Sequence, residues 1–109
     1  MLEKCCYVAN ELNAPIVVVH PSAFYIPEEA VDEIYEKLMH IADDLRSMAK
    51  RYNIKFALEN LHPASATDVL KRALDSLEPE YFGLCYDVTH AQVDGSRRLW
   101  IMLYLVKVS

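Results

Sequence analysis

Three short apolar runs in the chain each end at residues that can bind a metal ion or transfer a proton. The runs and their terminal residues are Ile16–Val19 with His20, Phe56–Leu58 with Glu59, and Phe82–Tyr86 with Asp87 and His90. Imidazole and carboxylate groups offer nitrogen and oxygen ligands, which suit zinc, manganese, cobalt or magnesium rather than soft thiophilic metals. Such a set predicts the chemistry of a bound divalent metal.

Asp87 and His90 form the sharpest local pattern, in the sequence Tyr-Asp-Val-Thr-His-Ala. A spacing of three allows a strand end and the turn after it to direct both side chains to one ion. Two structural alternatives stay open: Asp87 caps the following turn, and His90 bonds a backbone carbonyl. A carboxylate from another strand, Glu59, favours the metal site.

The segments between the runs predict the helices that must position these residues. Apolar residues recur three and four apart from Val31 to Tyr52, which predicts a long helix beginning near Pro27. The same spacing predicts helices over residues 1–12 and 66–77, the second preceded by a capping box of Ser65 and Asp68. Helices that alternate with strands predict right-handed βαβ units and a parallel sheet.

The strands of such a sheet would bring the chemically active residues together. The unbroken β-branched run Ile16–Val19 predicts a central strand covered on both faces. Parallel strands end at one edge, where α/β proteins place their ligands. We therefore expect Glu59 and Asp87 within metal-bridging reach of each other, at the same edge as His20.

The composition indicates a folded domain and disfavours several partners. The chain has 109 residues, 53% of them apolar, and a net charge of -5 without an extended basic run, which disfavours nucleic acid. It lacks a secretory signal and an apolar run of about 18 residues, so we expect a cytoplasmic protein without a membrane span. We expect its three cysteines to be reduced, with Cys85 a small buried hydrophobe.

At the same strand ends, the chain resembles the xylose isomerase-like TIM-barrel superfamily, which contains sugar and sugar-phosphate isomerases and epimerases as well as apurinic/apyrimidinic endonucleases. The similar segments are Val18–Pro21, Leu58–Asn60 and Gly83–Ala91. The resemblance implies that Glu59 and Asp87 bind the catalytic metal. It also implies that His90 binds the metal or the substrate, and we assign it to the metal.

The resemblance extends to a substrate pocket. His20 matches a strand-end histidine that binds metal in the endonucleases and often lines the pocket in the sugar enzymes. We assign His20 to substrate binding together with Asn60 and with His62, although His62 matches neither branch closely. Glu59 is the expected catalytic residue, as a ligand and as the carboxylate that moves a proton on the substrate.

The similar region covers residues 1–95, which predicts an α/β fold of parallel strands and helices forming a partial, or half, TIM barrel. A whole barrel has eight strand and helix units in about 250 residues. The family's later strands supply a further histidine and a glutamate to the metal, and the sequence after Ala91 offers neither. We therefore expect weak or absent metal binding, with residues 96–109 forming an atypical apolar tail.

Three functions remain open at this point. The leading one is a fragment of a divalent-metal-dependent isomerase or epimerase acting on a sugar or sugar phosphate. The alternatives are a metal-dependent apurinic/apyrimidinic endonuclease-like protein and a truncated, non-catalytic remnant that self-associates. Because a half-barrel exposes its inner face, we also expect a homodimer with the apolar segment Leu99–Val106 in the interface.

Overall fold

The computed structural model describes residues 2–20, 27–61 and 64–94, which form a parallel sheet and its helices. The elements in chain order are α1 (Leu2–Glu11), β1 (Ile16–Val19), α2 (Val31–Tyr52), β2 (Lys55–Glu59), α3 (Ala64–Ser76), β3 (Phe82–Cys85) and α4 (Val88–Asp94). A 3-10 turn, Glu28–Ala30, leads into α2. The predicted tail at residues 96–109 and His62 lie outside the described residues.

The sheet has the order β1-β2-β3, and both strand pairs are parallel. The prediction of parallel strands alternating with helices is confirmed. The prediction that β1 is a central strand covered on both faces is wrong for the described residues, since β1 lies at the sheet edge and Ile16 and Val18 are 52% and 50% exposed. Side chains alternate across a strand, so one covered face buries only every second residue.

The core lies between the helices and one face of the sheet. Phe56 and Leu58 of β2 are fully buried in a cluster with Leu45 of α2 and Leu70 of α3. Lys55, Ala57 and Glu59 alternate with these residues and therefore project from the opposite face of β2. Consequently, β2 is anchored by its helix-facing residues while Glu59 is directed away from the helices.

Helix α2 supplies the longest apolar face of the helical layer. Its buried residues are Leu38, Ala42, Leu45 and Ala49. The spacing of three and four from Val31 to Tyr52 places Ile41 in the predicted apolar stripe. Ile41 is however 47% exposed, and the small Ala42 lies against the core instead. The predicted end of the helix is confirmed: Asn53 adopts a left-handed conformation with φ of 53° and its N–H bonds the Ala49 carbonyl.

The ends of the shorter helices differ from the sequence prediction. Helix α3 begins at Ala64, so Ser65 lies inside the first turn and the predicted capping box before residue 66 is wrong. Ser65 and Thr67 are both buried, which shows that tertiary packing extends to the start of this helix. Helix α4 was not predicted, because Val88 and Val93 are exposed and it has no continuous apolar stripe.

A bidentate ion pair fixes the approach of the chain to β3. Arg46 of α2 donates from Nε and Nη2 to the two carboxylate oxygens of Glu78. The hydrogen bonds from Arg46 hold the pKa of Glu78 below its usual value. The Glu78 carbonyl in turn accepts the N–H groups of Tyr81 and Phe82, so the pair secures the turn that starts β3.

None of the helices in the described ranges has both the length and the apolar character that a membrane span requires.

We predict that alanine substitutions of two apolar residues of α2 lower the free energy of unfolding by different amounts. Leu38→Ala should lower the free energy of unfolding by about 2 to 5 kcal/mol, because it opens a cavity in the core. Ile41→Ala should cost about 1 kcal/mol or less, since Ile41 is half exposed and alanine favours the helix. Urea denaturation measures both values, and equal losses would contradict the burial of this face.

Candidate metal centre

The strand register places the sequence-predicted residues at one edge of the sheet. Val19 pairs with Leu58, and Glu59 pairs with Cys85, so the carboxyl ends of β1, β2 and β3 lie side by side. His20 follows Val19 directly, and Asp87 follows Cys85 by two residues. The three ends meet because the strands are parallel and nearly unshifted.

Glu59, Asp87 and His90 form a compact cluster at this edge. One potential ligand atom from each residue lies within 4.8 Å of those from the other two. His90 Nδ1 is 3.5 Å from Glu59 Oε2 and 3.6 Å from Asp87 Oδ2. The side chains of Glu59, His90 and Asp87 are 18%, 28% and 34% exposed, so an ion from solvent can reach them. Two carboxylates and an imidazole are a fitting ligand set for a divalent metal of the zinc or manganese type.

His20 approaches the cluster from β1. Its Nε2 atom lies 3.7 Å from Glu59 Oε2, and its side chain is 56% exposed. It therefore lies at the solvent-facing rim of the cluster. Glu59 Oε2 faces the imidazoles of both His20 and His90, which makes this oxygen the centre of the site.

Asp87 and His90 each take up the structural role that the sequence left as an alternative. Asp87 Oδ1 accepts the backbone N–H of His90 at 2.9 Å and so caps α4. This hydrogen bond lowers the pKa of Asp87. His90 Nδ1 is 2.8 Å from the Asn60 carbonyl oxygen. The capping role of Asp87 coexists with the cluster, because its Oδ2 still faces the His90 ring. In His90 the same atom, Nδ1, faces the Asn60 carbonyl and both carboxylates.

Asn60 lies beneath the cluster and is fully buried. Its side-chain Nδ2 donates to the Asp87 carbonyl at 2.9 Å, and its Oδ1 accepts the Asp87 N–H. Its own N–H donates to the Cys85 carbonyl at 3.3 Å. The sequence predicted that Asn60 contacts the substrate, but in this arrangement its side chain has no exposed surface.

Cys85 is a neighbour of the cluster, whereas the sequence predicted only a small buried hydrophobe at this position. It is partly buried, and its thiol lies 4.0 Å from Glu59 Oε1. Burial, and then the charges of Glu59 and Asp87, raise the pKa of the Cys85 thiol. The thiol therefore stays protonated at neutral pH. The available signal was its position at the end of an apolar run, at the same level as Glu59.

A comparison with protein families matches residues 1–107 to the family model described as xylose isomerase-like TIM barrel. The match and the open parallel sheet agree with the predicted partial barrel. No curated protein and no solved structure matches the chain.

We predict that two substitutions of Asp87 separate its capping role from its charge. Asp87→Ala should lower the free energy of unfolding by about 1 kcal/mol, because α4 loses its cap. Asp87→Asn should cost much less, since asparagine caps a helix about as well as aspartate. Urea denaturation at neutral pH measures both, and equal costs would show that the charge, not the cap, stabilises the fold.

Proposed function

Because the chain belongs to the xylose isomerase-like TIM-barrel family, we propose that it is part of a divalent-metal-dependent isomerase or epimerase that acts on a sugar or sugar phosphate. The observation that carries this proposal is the convergence of Glu59, Asp87 and His90 within 4.8 Å at the carboxyl edge of the sheet. In TIM barrels this edge holds the catalytic residues. The position and chemistry of the cluster both support a catalytic metal site.

Glu59, Asp87 and His90 would hold the metal, which we propose to be manganese, zinc, magnesium or cobalt. Such a metal polarises a carbonyl or hydroxyl oxygen of a bound substrate. We assign to the Glu59 carboxylate the transfer of a proton at the substrate carbon next to the polarised group. Its two oxygens face different groups, the imidazoles on one side and the Cys85 thiol on the other.

His20 is the proposed substrate contact at the rim of the site. Its exposed imidazole can exchange hydrogen bonds with the hydroxyl groups of a sugar. On the basis of the sequence, we also propose that His62 contributes to the substrate pocket. The proposal of a cytoplasmic location likewise comes from the sequence. The weak metal binding expected from the sequence also remains a proposal, since three ligands are the minimum that catalytic zinc sites use.

The family also contains endonuclease-like proteins, and the charge of the chain favours the sugar enzymes over these. Sixteen acidic residues against eleven basic ones give a net charge of -5. Binding to the DNA backbone depends on lysine and arginine contacts with phosphates. An acidic chain suits a small substrate held by a metal and a few side chains better than a long polyanion.

We further propose that a second copy covers the helix-free face of the sheet, by which we mean the face that points away from the described helices. Ile16 and Val18 of β1 expose about half of their surface there, because they pair with Lys55 and Ala57, which project from the same face. The burial of apolar surface of this kind has a favourable free energy. Twofold dimers are the commonest closed assembly. The predicted interface segment Leu99–Val106 lies outside the described residues.

The metal site is tested by isothermal titration calorimetry with Mn²⁺ and with Zn²⁺. We expect weak binding by the wild type and at least about tenfold weaker binding by Glu59→Gln with Asp87→Asn, which keeps the shape but removes both carboxylates. Glu36→Gln with Asp44→Asn removes the same charge from exposed positions of α2 and should bind as the wild type does. Equal binding by the site variant and the wild type would refute the assignment.

The dimer is tested by light scattering at micromolar concentration. We expect twice the chain mass of 12.5 kDa for the wild type, and a shift to the monomer for Val18→Lys, which places a charge on the helix-free face. Ile41→Lys introduces the same charge at a similarly exposed residue of α2 and should remain dimeric. A monomeric wild type, or a dimeric Val18→Lys variant, would contradict the proposed interface.

A further inference from the structure

We propose that Asn60 is a positioning residue that sets the places of Asp87 and His90 in the metal cluster. The proposal rests on the proposed function for the identity of the ligands. In place of the substrate contact expected from the sequence, Asn60 has the role of orienting the ligands from beneath the cluster. The geometry that supports it consists of four contacts from one fully buried residue.

The side chain of Asn60 acts on Asp87 as a backbone would. The amide oxygen accepts the Asp87 N–H, and the amide nitrogen donates to the Asp87 carbonyl. Both backbone polar groups of Asp87 are therefore satisfied by one side chain. Since the last bond between β2 and β3 runs from the Asn60 N–H to the Cys85 carbonyl, the side chain extends this pairing to Asp87.

An amide is the functional group that this position requires. A donor and an acceptor must face the carbonyl and the N–H of the same residue. Aspartate has a similar size but no N–H donor, and its carboxylate would face the Asp87 carbonyl oxygen. An apolar residue would remove the acceptor of the Asp87 N–H and would leave the Asp87 carbonyl with the Ala91 N–H at 3.2 Å. The loss of a hydrogen-bond partner at this partly buried place is unfavourable.

The backbone of Asn60 acts on His90. A carbonyl oxygen only accepts hydrogen bonds, so in the 2.8 Å contact with Asn60 it is Nδ1 of His90 that carries the proton. In a neutral ring this leaves the lone pair on Nε2. Histidines that bind metals usually donate their other ring N–H to a carbonyl or carboxylate, which fixes the ring. Asn60 thus holds the His90 ring through Nδ1, the same atom that lies 3.5 Å from Glu59 Oε2 and 3.6 Å from Asp87 Oδ2, and the lone pair that a metal would need is on Nε2.

The first experiment reads the ring directly and needs no metal. In long-range ¹H–¹⁵N NMR spectra of the full chain, His90 of the wild type should show the Nδ1–H tautomer, with His90→Gln identifying its signals among the four histidines. Asn60→Ala should lose this tautomer preference, because the turn that holds the carbonyl and Asp87 is released. An unchanged His90 tautomer in Asn60→Ala would overturn the proposal.

The second experiment measures Mn²⁺ affinity by calorimetry. Asn60→Ala should bind about 10- to 100-fold more weakly than the wild type, as expected for the loss of a group that orients ligands. Thr67→Val is the control, because it removes a polar group that is 2% exposed in α3. It should keep the wild-type affinity even where urea denaturation shows a similar loss of stability. Equal weakening in both variants would reduce Asn60 to a structural residue and overturn the proposal.

Two further measurements cover the cases in which Asn60→Ala does not fold or the wild type binds no Mn²⁺. If Asn60→Ala does not fold, Asn60→Asp takes its place, since it has nearly the same volume and lacks the N–H donors; the same tautomer and affinity changes are expected. If the wild type binds no Mn²⁺, the proposed metal function fails while the NMR result alone decides the role of Asn60. The two proposals can therefore fail separately.

Discussion

Pairing on both edges of β2 is the constraint on which the rest of the structure depends. This strand bonds β1 on one side and β3 on the other, and its helix-facing residues Phe56 and Leu58 are fully buried. Its register with both neighbours is thereby fixed, because a slip of one residue would turn these side chains away from the core. The position of Glu59 follows from the same register, so the stability of the fold and the geometry of the site have one origin.

The strand ends could be predicted from the sequence because they depend on local patterns. Apolar runs that stop at His20, Glu59 and Asp87 are visible without any knowledge of the fold, and parallel connection brings their ends together. The long helix was equally visible, since its apolar period extends over six turns. The family resemblance then supplied roles that spacing alone leaves open, and the match over residues 1–107 confirms the family.

Other features depend on contacts between distant residues and leave no local signal. The exposure of Ile16 and Val18 is decided by what lies opposite the sheet, so a β-branched run gave the wrong prediction of a strand covered on both faces. The buried amide of Asn60 meets Asp87 27 residues later, and nothing in the type of either residue indicates this. Helix α4 also lacks a clear local signal, because it is only seven residues long. It begins at a cap provided by Asp87, whose other carboxylate oxygen faces the cluster.

The unequal anchoring of the strands has a consequence for how the site can move. In the described part of the chain, β1 and β3 are both edge strands, but β1 leaves Ile16 and Val18 half exposed. Strand β3 instead continues into a turn that the buried Asn60 side chain ties to β2 through the backbone of Asp87. Glu59 lies on β2, Asp87 in that turn and His90 in α4. Local unfolding is cheapest where backbone bonds face solvent and packing is one-sided. Fraying of β1 would therefore displace His20 and leave the other three residues in place. The rim of the cluster is therefore held less firmly than its base.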